Sequence, residues 1–177
     1  GLDAPSCATG VVNITVSEIN DDPVAANDAK SLNQDTILNF PASDLTANDT
    51  AGPANETGQT LTVTSVAATA NTHGTVTLNS GVVTYTPAAF YSGPASFTYQ
   101  VCDNGTTNSA SDFRCAIATV NVTVIFVPDT VPPTISCTAD VVVDFDPAVN
   151  GAVVAYTAPV GTDNRPGATT MQVAGLA

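Results

Sequence analysis

Apolar residues recur at every second position over much of this chain. "TLTVTSV" (60–66), "GTVTL" (74–78), "VVTYTP" (82–87), "SFTYQV" (96–101) and "ATVNVTV" (118–124) alternate Val, Leu, Phe or Tyr with Thr, Ser or Asn. A period of two places alternate side chains on opposite faces of an extended strand, so each segment predicts a strand with one buried face. From about Pro23 to Val127 the pattern gives seven strands, at 24–31, 36–41, 60–68, 74–79, 82–87, 96–102 and 116–126. "NSG" at 79–81 joins two of them as a hairpin, and Pro87 and Pro94 mark the next crossing. No stretch keeps an apolar period of 3.6 residues between helix caps, so the chain is read as all-β.

Seven short strands in about a hundred residues predict an immunoglobulin-like β-sandwich. One strand sequence occurs twice: "CATGVVNITV" (7–16) returns as "CAIATVNVTV" (115–124), identical at six of ten positions. A loop with Asp and Pro follows each copy. Residues 1–19 are therefore read as the last strand of a preceding sandwich, 20–127 as a complete one, and 128–177 as the first half of another. An isolated valine-rich strand does not hold in water, so residues 8–17 are expected to pair with strands outside a complete domain of this chain. Two sources stay open: an upstream repeat of the same polypeptide, or strand addition between identical subunits in a filament.

Parity also orders the cysteines. Phe97, Tyr99 and Val101 share a face, which points Cys102 the other way; Ala116, Ala118, Val120, Val122 and Val124 share a face, which turns Cys115 outward. The two thiols then lie on the outer face of adjacent strands, and a Cys102–Cys115 bridge would close a short hairpin, against the alternative of two free surface thiols. By the same parity Cys7 is the second half of such a bridge, with its partner upstream of Gly1.

Composition removes whole classes of function. Three basic residues against sixteen acidic ones leave a formal charge of −13, which repels nucleic acid and anionic membranes and favours metal cations or plain solubility. No apolar run approaches the length of a membrane span. His73 is the only histidine, so a zinc cluster or a Cys/His pair would have to be built from almost nothing, and "THG" reads more simply as the start of a hairpin. No glycine-rich phosphate loop leads from a strand into a helix, and the carboxylates sit in polar loops unlike the buried acid of a hydrolytic pair. No enzymatic activity is expected.

"NDDPVAANDA", "DLTANDT", "GQTLTVTSV", "THGTVTLNSGVVTYTP" and "YSGPASFTYQVCDNG" resemble, in this order, the bacterial cadherin-like repeats of giant secreted adhesins. The resemblance covers about residues 20–127 and is most specific from Thr72 to Asn104. "PDTVPPTISC" with "GAVVAYTAPVGTDN" resembles the opening half of a HYR (hyalin repeat) module, although Arg165 follows Asn164 where that pattern often has Cys, and the resemblance implies that Cys137 has no partner within these residues. These families imply extracellular, tandemly repeated spacers or adhesive segments, often bound to calcium.

For calcium, "EIND" at 18–21 with Asp22 resembles the cadherin linker, except that Pro23 follows Asp22 directly. Sandwich topology would gather three segments at one pole: Glu18, Asn20, Asp21 and Asp22; Asp44, Asn48 and Asp49; and Asp103, Asn104 and Asp112. Calcium wants six to eight oxygens, which such a pole could supply; ordinary Asx-turn chemistry explains the same residues without a metal. The second junction, residues 125–133, offers only Asp129 and gives no calcium expectation. Sequons fall at Asn13, Asn48, Asn55, Asn104 and Asn121, a number that an Asn- and Thr-rich chain partly reaches by chance. Thr36, Thr50 and Thr130 lie in Asp-Thr-apolar triplets that resemble an O-glycosylation signal of some Bacteroidetes.

Two functional classes remain. One is a structural or adhesive segment of a larger cell-surface or secreted protein, with neighbouring repeats, identical subunits or surface glycans and proteins as partners. The other is a carbohydrate-binding accessory module of a secreted enzyme. Such modules use exposed aromatics; the chain has no Trp, and its Phe and Tyr fall mostly on inward parity, with Phe90 and Tyr91 as exceptions.

Overall fold

The computed structural model describes residues 9–136, 139–152 and 154–171, so Cys7 and Cys137 and the pairings expected for them lie outside the described residues. The chain divides into two compact units, residues 1–126 and 127–177.

The first unit contains β1 (Asp28–Asn33), β2 (Leu38–Pro41), β3 (Thr62–Ala68), β4 (Gly74–Asn79), β5 (Val82–Pro87), β6 (Gly93–Cys102), a two-residue pair β7 (Thr106–Thr107) and β8 (Ala110–Ser111), and β9 (Cys115–Ile125). One sheet has the order β1-β9-β6-β3 and the other β2-β5-β4. β1 runs parallel to β9 from Asp28↔Val120 to Asn33↔Ile125, and β6 runs antiparallel to β9 from Gly93↔Val124 to Cys102↔Cys115. This is the immunoglobulin-like sandwich that the alternation predicts, with all seven long strands present.

The alternation becomes a core where the sheets face each other. Phe97, Tyr99, Val101, Val120, Val122 and Val124 from one sheet meet Phe40, Val83 and Tyr85 from the other, and the Tyr85 and Phe97 rings stack 6.0 Å apart. Each buried side chain of this size removes roughly 1.5–3 kcal/mol worth of apolar surface from water. Ser80 and Gly81, between β4 and β5, both adopt positive φ, as a tight two-residue hairpin turn requires.

The strand boundaries differ from expectation by more than two residues in two places. β1 begins at Asp28 instead of residue 24, because Val24 bridges to Thr50 and the Ala26 N–H is taken by the Asp49 carboxylate at 2.7 Å. β6 begins at Gly93, three residues before the predicted start, because β9 is long enough to pair with it there.

In the second unit β10 (Thr134–Ile135) pairs antiparallel with β11 (Gly161–Thr162). Arg165 donates to the Val127 carbonyl at 2.7 Å and lies 3.9 Å from the Asp129 carboxylate. Val142, Phe145, Tyr156 and Val160 are exposed.

Candidate interdomain joint at the N-terminal pole

Residues 9–19 belong to no strand, and their side chains stand in solvent: Val11, Val12, Ile14 and Val16 are between 82% and 88% exposed. The chain enters the sandwich at Asn20, which is 3% exposed. Its backbone N–H donates to the Thr107 hydroxyl at 2.9 Å. Its side-chain amide donates to Asp103 Oδ1 at 3.0 Å and to the Asp112 carbonyl at 2.7 Å, and accepts from Gln59 Nε2 at 2.7 Å. One buried amide thus ties three segments of the domain to the incoming chain.

The loop after β6 is shaped around that amide. Asp103 Oδ1 also accepts from the backbone N–H of Gly105 at 3.0 Å and of Arg114 at 2.9 Å. The β7–β8 pair positions Thr107, whose hydroxyl donates to Asp112 Oδ2 at 2.7 Å, and Arg114 Nη2 reaches the same oxygen at 3.2 Å. The Thr107 hydroxyl and the Arg114 guanidinium hold the Asp112 carboxyl below its ordinary pKa. Gly105 is required by closeness: a Cβ there would lie 1.8 Å from Asn20 Oδ1.

The long loop after β2 reaches the joint through its later residues. Glu56 ends a short 3-10 turn, Ala54–Glu56, and its Oε1 accepts from the Asp21 N–H at 2.9 Å. Glu56 is 2% exposed and Asp103 5%. Glu56 Oε2, Asp103 Oδ2 and Gln59 Oε1 are buried and have no hydrogen-bond partner.

The ten residues expected at a calcium pole are therefore not gathered as one ligand set. Asn20, Asp103 and Asp112 come together, with Asp21 held by Glu56 and the Asp22 carboxylate 3.9 Å from Arg114. Asn104 accepts the Thr60 N–H at 2.7 Å, and Glu18 contributes its carbonyl to the Asn108 N–H at 3.1 Å. Asp44, Asn48 and Asp49 are engaged elsewhere, since the chain leaving β2 turns at once through Ala42–Leu45 and buries Leu45. Asp44 pairs with Lys30 at 3.3 Å and Asn48 donates to the Asn27 carbonyl at 3.2 Å. Asp49 faces the Tyr99 hydroxyl at 3.0 Å. Burial, with Asp49 beside it, keeps that hydroxyl protonated far above the ordinary phenol range. Among the described residues no three acidic, histidine or cysteine side chains form a group that could hold a metal ion.

The sequence reading missed Glu56, Gln59, Thr107 and Arg114. Glu56 sits inside the sequon "NET", and nothing local separates it from a solvated loop acid. The close pair Asn20–Gly105 had a partial signal in "DNG", which reads locally as no more than a turn.

Cys102 and Cys115 form the expected disulfide directly across β6 and β9, with Cα atoms 4.1 Å apart. It lies within one sheet, unlike the inter-sheet bridge of antibody domains. Cys102 is buried despite its outward parity, with the Thr64 hydroxyl 3.6 Å from its Sγ. The sequon residues Asn13, Asn48, Asn55, Asn104 and Asn121 and the threonines Thr36, Thr50 and Thr130 are all exposed.

The aromatic count needs correcting: besides Phe90, the rings of Phe113, Phe126, Phe145 and Tyr156 are exposed. All four lie outside the faces that meet in the sandwich core. Tyr91 does not offer a free platform, because His73 stacks on it at 4.3 Å with an interplanar angle of 11°. No helix among the described residues is long and apolar enough to cross a membrane.

No curated protein matches this chain. The family described as bacterial Ig domain matches residues 20–123, which spans both sheets and the joint residues from Asn20 to Arg114. With its sandwich topology and that match over more than half its length, the chain belongs to the bacterial Ig domain family.

Proposed function

We propose that this chain is a segment of an extracellular structural array, and that its sandwich acts as a stiff, non-catalytic spacer whose direction is set at Asn20. The observation that carries this reading is the buried Asn20 amide, shared among Asp103, Asp112 and Gln59. A flexible linker would leave such a residue in water. Here the linker is hydrogen-bonded into the domain it precedes, so the preceding segment leaves at a defined angle. The Cys102–Cys115 bridge supports an oxidising, extracellular setting. Adhesive contacts with surface glycans or proteins would belong to other parts of the array.

Calcium enters the same reading in a reduced form. Glu56, Gln59 and Asp103 each hold the Asn20–Asp21 unit with one polar atom and leave a second, buried oxygen unpartnered. Such oxygens are the hard donors that calcium takes, and a cation held by them would neutralise two buried carboxylates and tighten the joint. With so few protein ligands the site belongs to the weak, millimolar class of extracellular modules.

Backbone 15N order parameters across residues 17–22 test the stiffness. Asn20–Asp22 should be as rigid as the sheet, about 0.85, and Asn20→Ala should drop them toward 0.6 while β9 stays rigid. Values near 0.6 in the unaltered chain would overturn the spacer reading.

A further inference from the structure

We infer that residues 9–16 are part of a β9-type strand belonging to a second sandwich of this class, filling the place between its β1-type and β6-type strands. The inference rests on the array proposed above and adds the partner, its strands and the register. β9 is a central strand, hydrogen-bonded on both edges: Val120 stands opposite Asp28 on one side and Phe97 on the other. Laid on β9, the earlier copy puts Val12, Ile14 and Val16 in the places of Val120, Val122 and Val124. Those three are at most 2% exposed in β9, whereas Val12, Ile14 and Val16 are at least 82% exposed. Asn13 and Thr15 repeat the outward Asn121 and Thr123, and Cys7 repeats Cys115. A segment with one valine-rich face and one Asn/Thr face, preceded by a cysteine as β9 is opened by Cys115, matches a half-buried, disulfide-closed slot.

The slot belongs to the neighbouring sandwich of the same polypeptide. In a second copy of this chain the corresponding place is already filled by Cys115–Ile125, and a formal charge of −13 opposes the gathering of copies. The clamp at Asn20 follows four residues after Val16, so the strand of one domain runs almost directly into the fixed start of the next.

A fusion that sets residues 20–114 of this chain directly ahead of residues 7–177 tests the placement, because residues 7–16 then follow Arg114 as β9 does. Both sandwiches should fold, Cys7 should be bonded to Cys102 of the front copy in non-reducing peptide maps, and amide exchange across residues 9–16 should slow more than about 1,000-fold. A second variant keeps the test independent of the joint. Ile117→Thr, Ala118→Gly, Thr119→Val and Val122→Ile together rewrite β9 as the earlier copy, and this variant should keep a cooperative melt and a closed Cys102–Cys115 bridge. An unfolded front copy beside a folded quadruple variant would overturn the placement; failure of both would overturn the strand itself. Concentration-dependent self-association of the unaltered chain in sedimentation would overturn the choice of partner. None of these outcomes depends on the rigidity of Asn20, so the spacer reading stands or falls separately.

Discussion

Residues 9–16 and residues 117–124 share four of eight residues and the same alternation over their last five positions, and they meet opposite fates. Val120 is fully buried between two partner strands, while Val12, its counterpart, is 83% exposed. The local pattern is therefore necessary for a buried strand and insufficient for it. What differs is non-local: β9 has β1 and β6 beside it and a second sheet across from it, and each of these comes from a distant part of the chain. Strand propensity measures how well a side chain fits a pleated, half-buried surface, and that surface must be supplied from elsewhere.

The sharpest break in the comparison comes from placing a charge on each copy. Val120→Asp puts an unpaired carboxylate into the core and should cost more than about 4 kcal/mol, enough to unfold a domain of ordinary stability. Val12→Asp changes a solvated side chain and should alter the melt by less than about 0.5 kcal/mol. Thermal denaturation of the two variants checks both; equal effects would mean that the two copies share one environment.

A smaller effect is expected at the border between the two regions. If Glu56, Gln59 and Asp103 hold calcium, a concentration about ten times the dissociation constant should stabilise the domain by about 1.4 kcal/mol through mass action. Glu56→Gln should remove most of that gain. An unchanged melt between chelator and calcium would leave the joint to its hydrogen bonds alone.

The smallest effect concerns the cost of embedding β9. Its neighbour across the ladder, Asp28, has its pKa raised by burial, with the Asp49 carboxylate adding to the rise and the Tyr99 hydroxyl opposing it. Asp28 therefore binds its proton more tightly in the folded state than in the unfolded one. The associated stability is fully present below the unfolded pKa and is lost as pH rises through the folded one. Asp28→Asn should accordingly raise the melting temperature slightly at pH 7, and the gain should disappear in acid. A gain that persisted unchanged below the carboxylate range would assign it to packing instead.

The fold was legible wherever alternation and turn chemistry agreed. β4 and β5 match their predicted bounds, because "NSG" fixes both the turn and the register. β1 did not, since the side chain of Asp49 competes for the backbone at Ala26 and no local pattern reveals a partner 23 residues away. The Cys102–Cys115 bridge followed from face parity and hairpin spacing. The joint was half legible. Asn20, Asp103 and Asp112 follow from knowing which loops share a pole, whereas Glu56 and Gln59 depend on how a loop of twenty residues, 42–61, coils back between β2 and β3. Two sharp turns and the buried Leu45 decide that path, and loop composition does not encode it.

Amide hydrogen exchange along the unaltered chain tests the central claim most directly, because it reads both copies and the joint in one measurement. Residues 117–124 should exchange only through global unfolding, residues 9–16 should exchange as an unprotected chain does, and the change from fast to slow should fall at Asn20, whose N–H is held by Thr107, and at Asp21, whose N–H is held by Glu56. Protection that ran unbroken through residues 9–19, or Asn20 and Asp21 amides exchanging as fast as that of Val11, would contradict it.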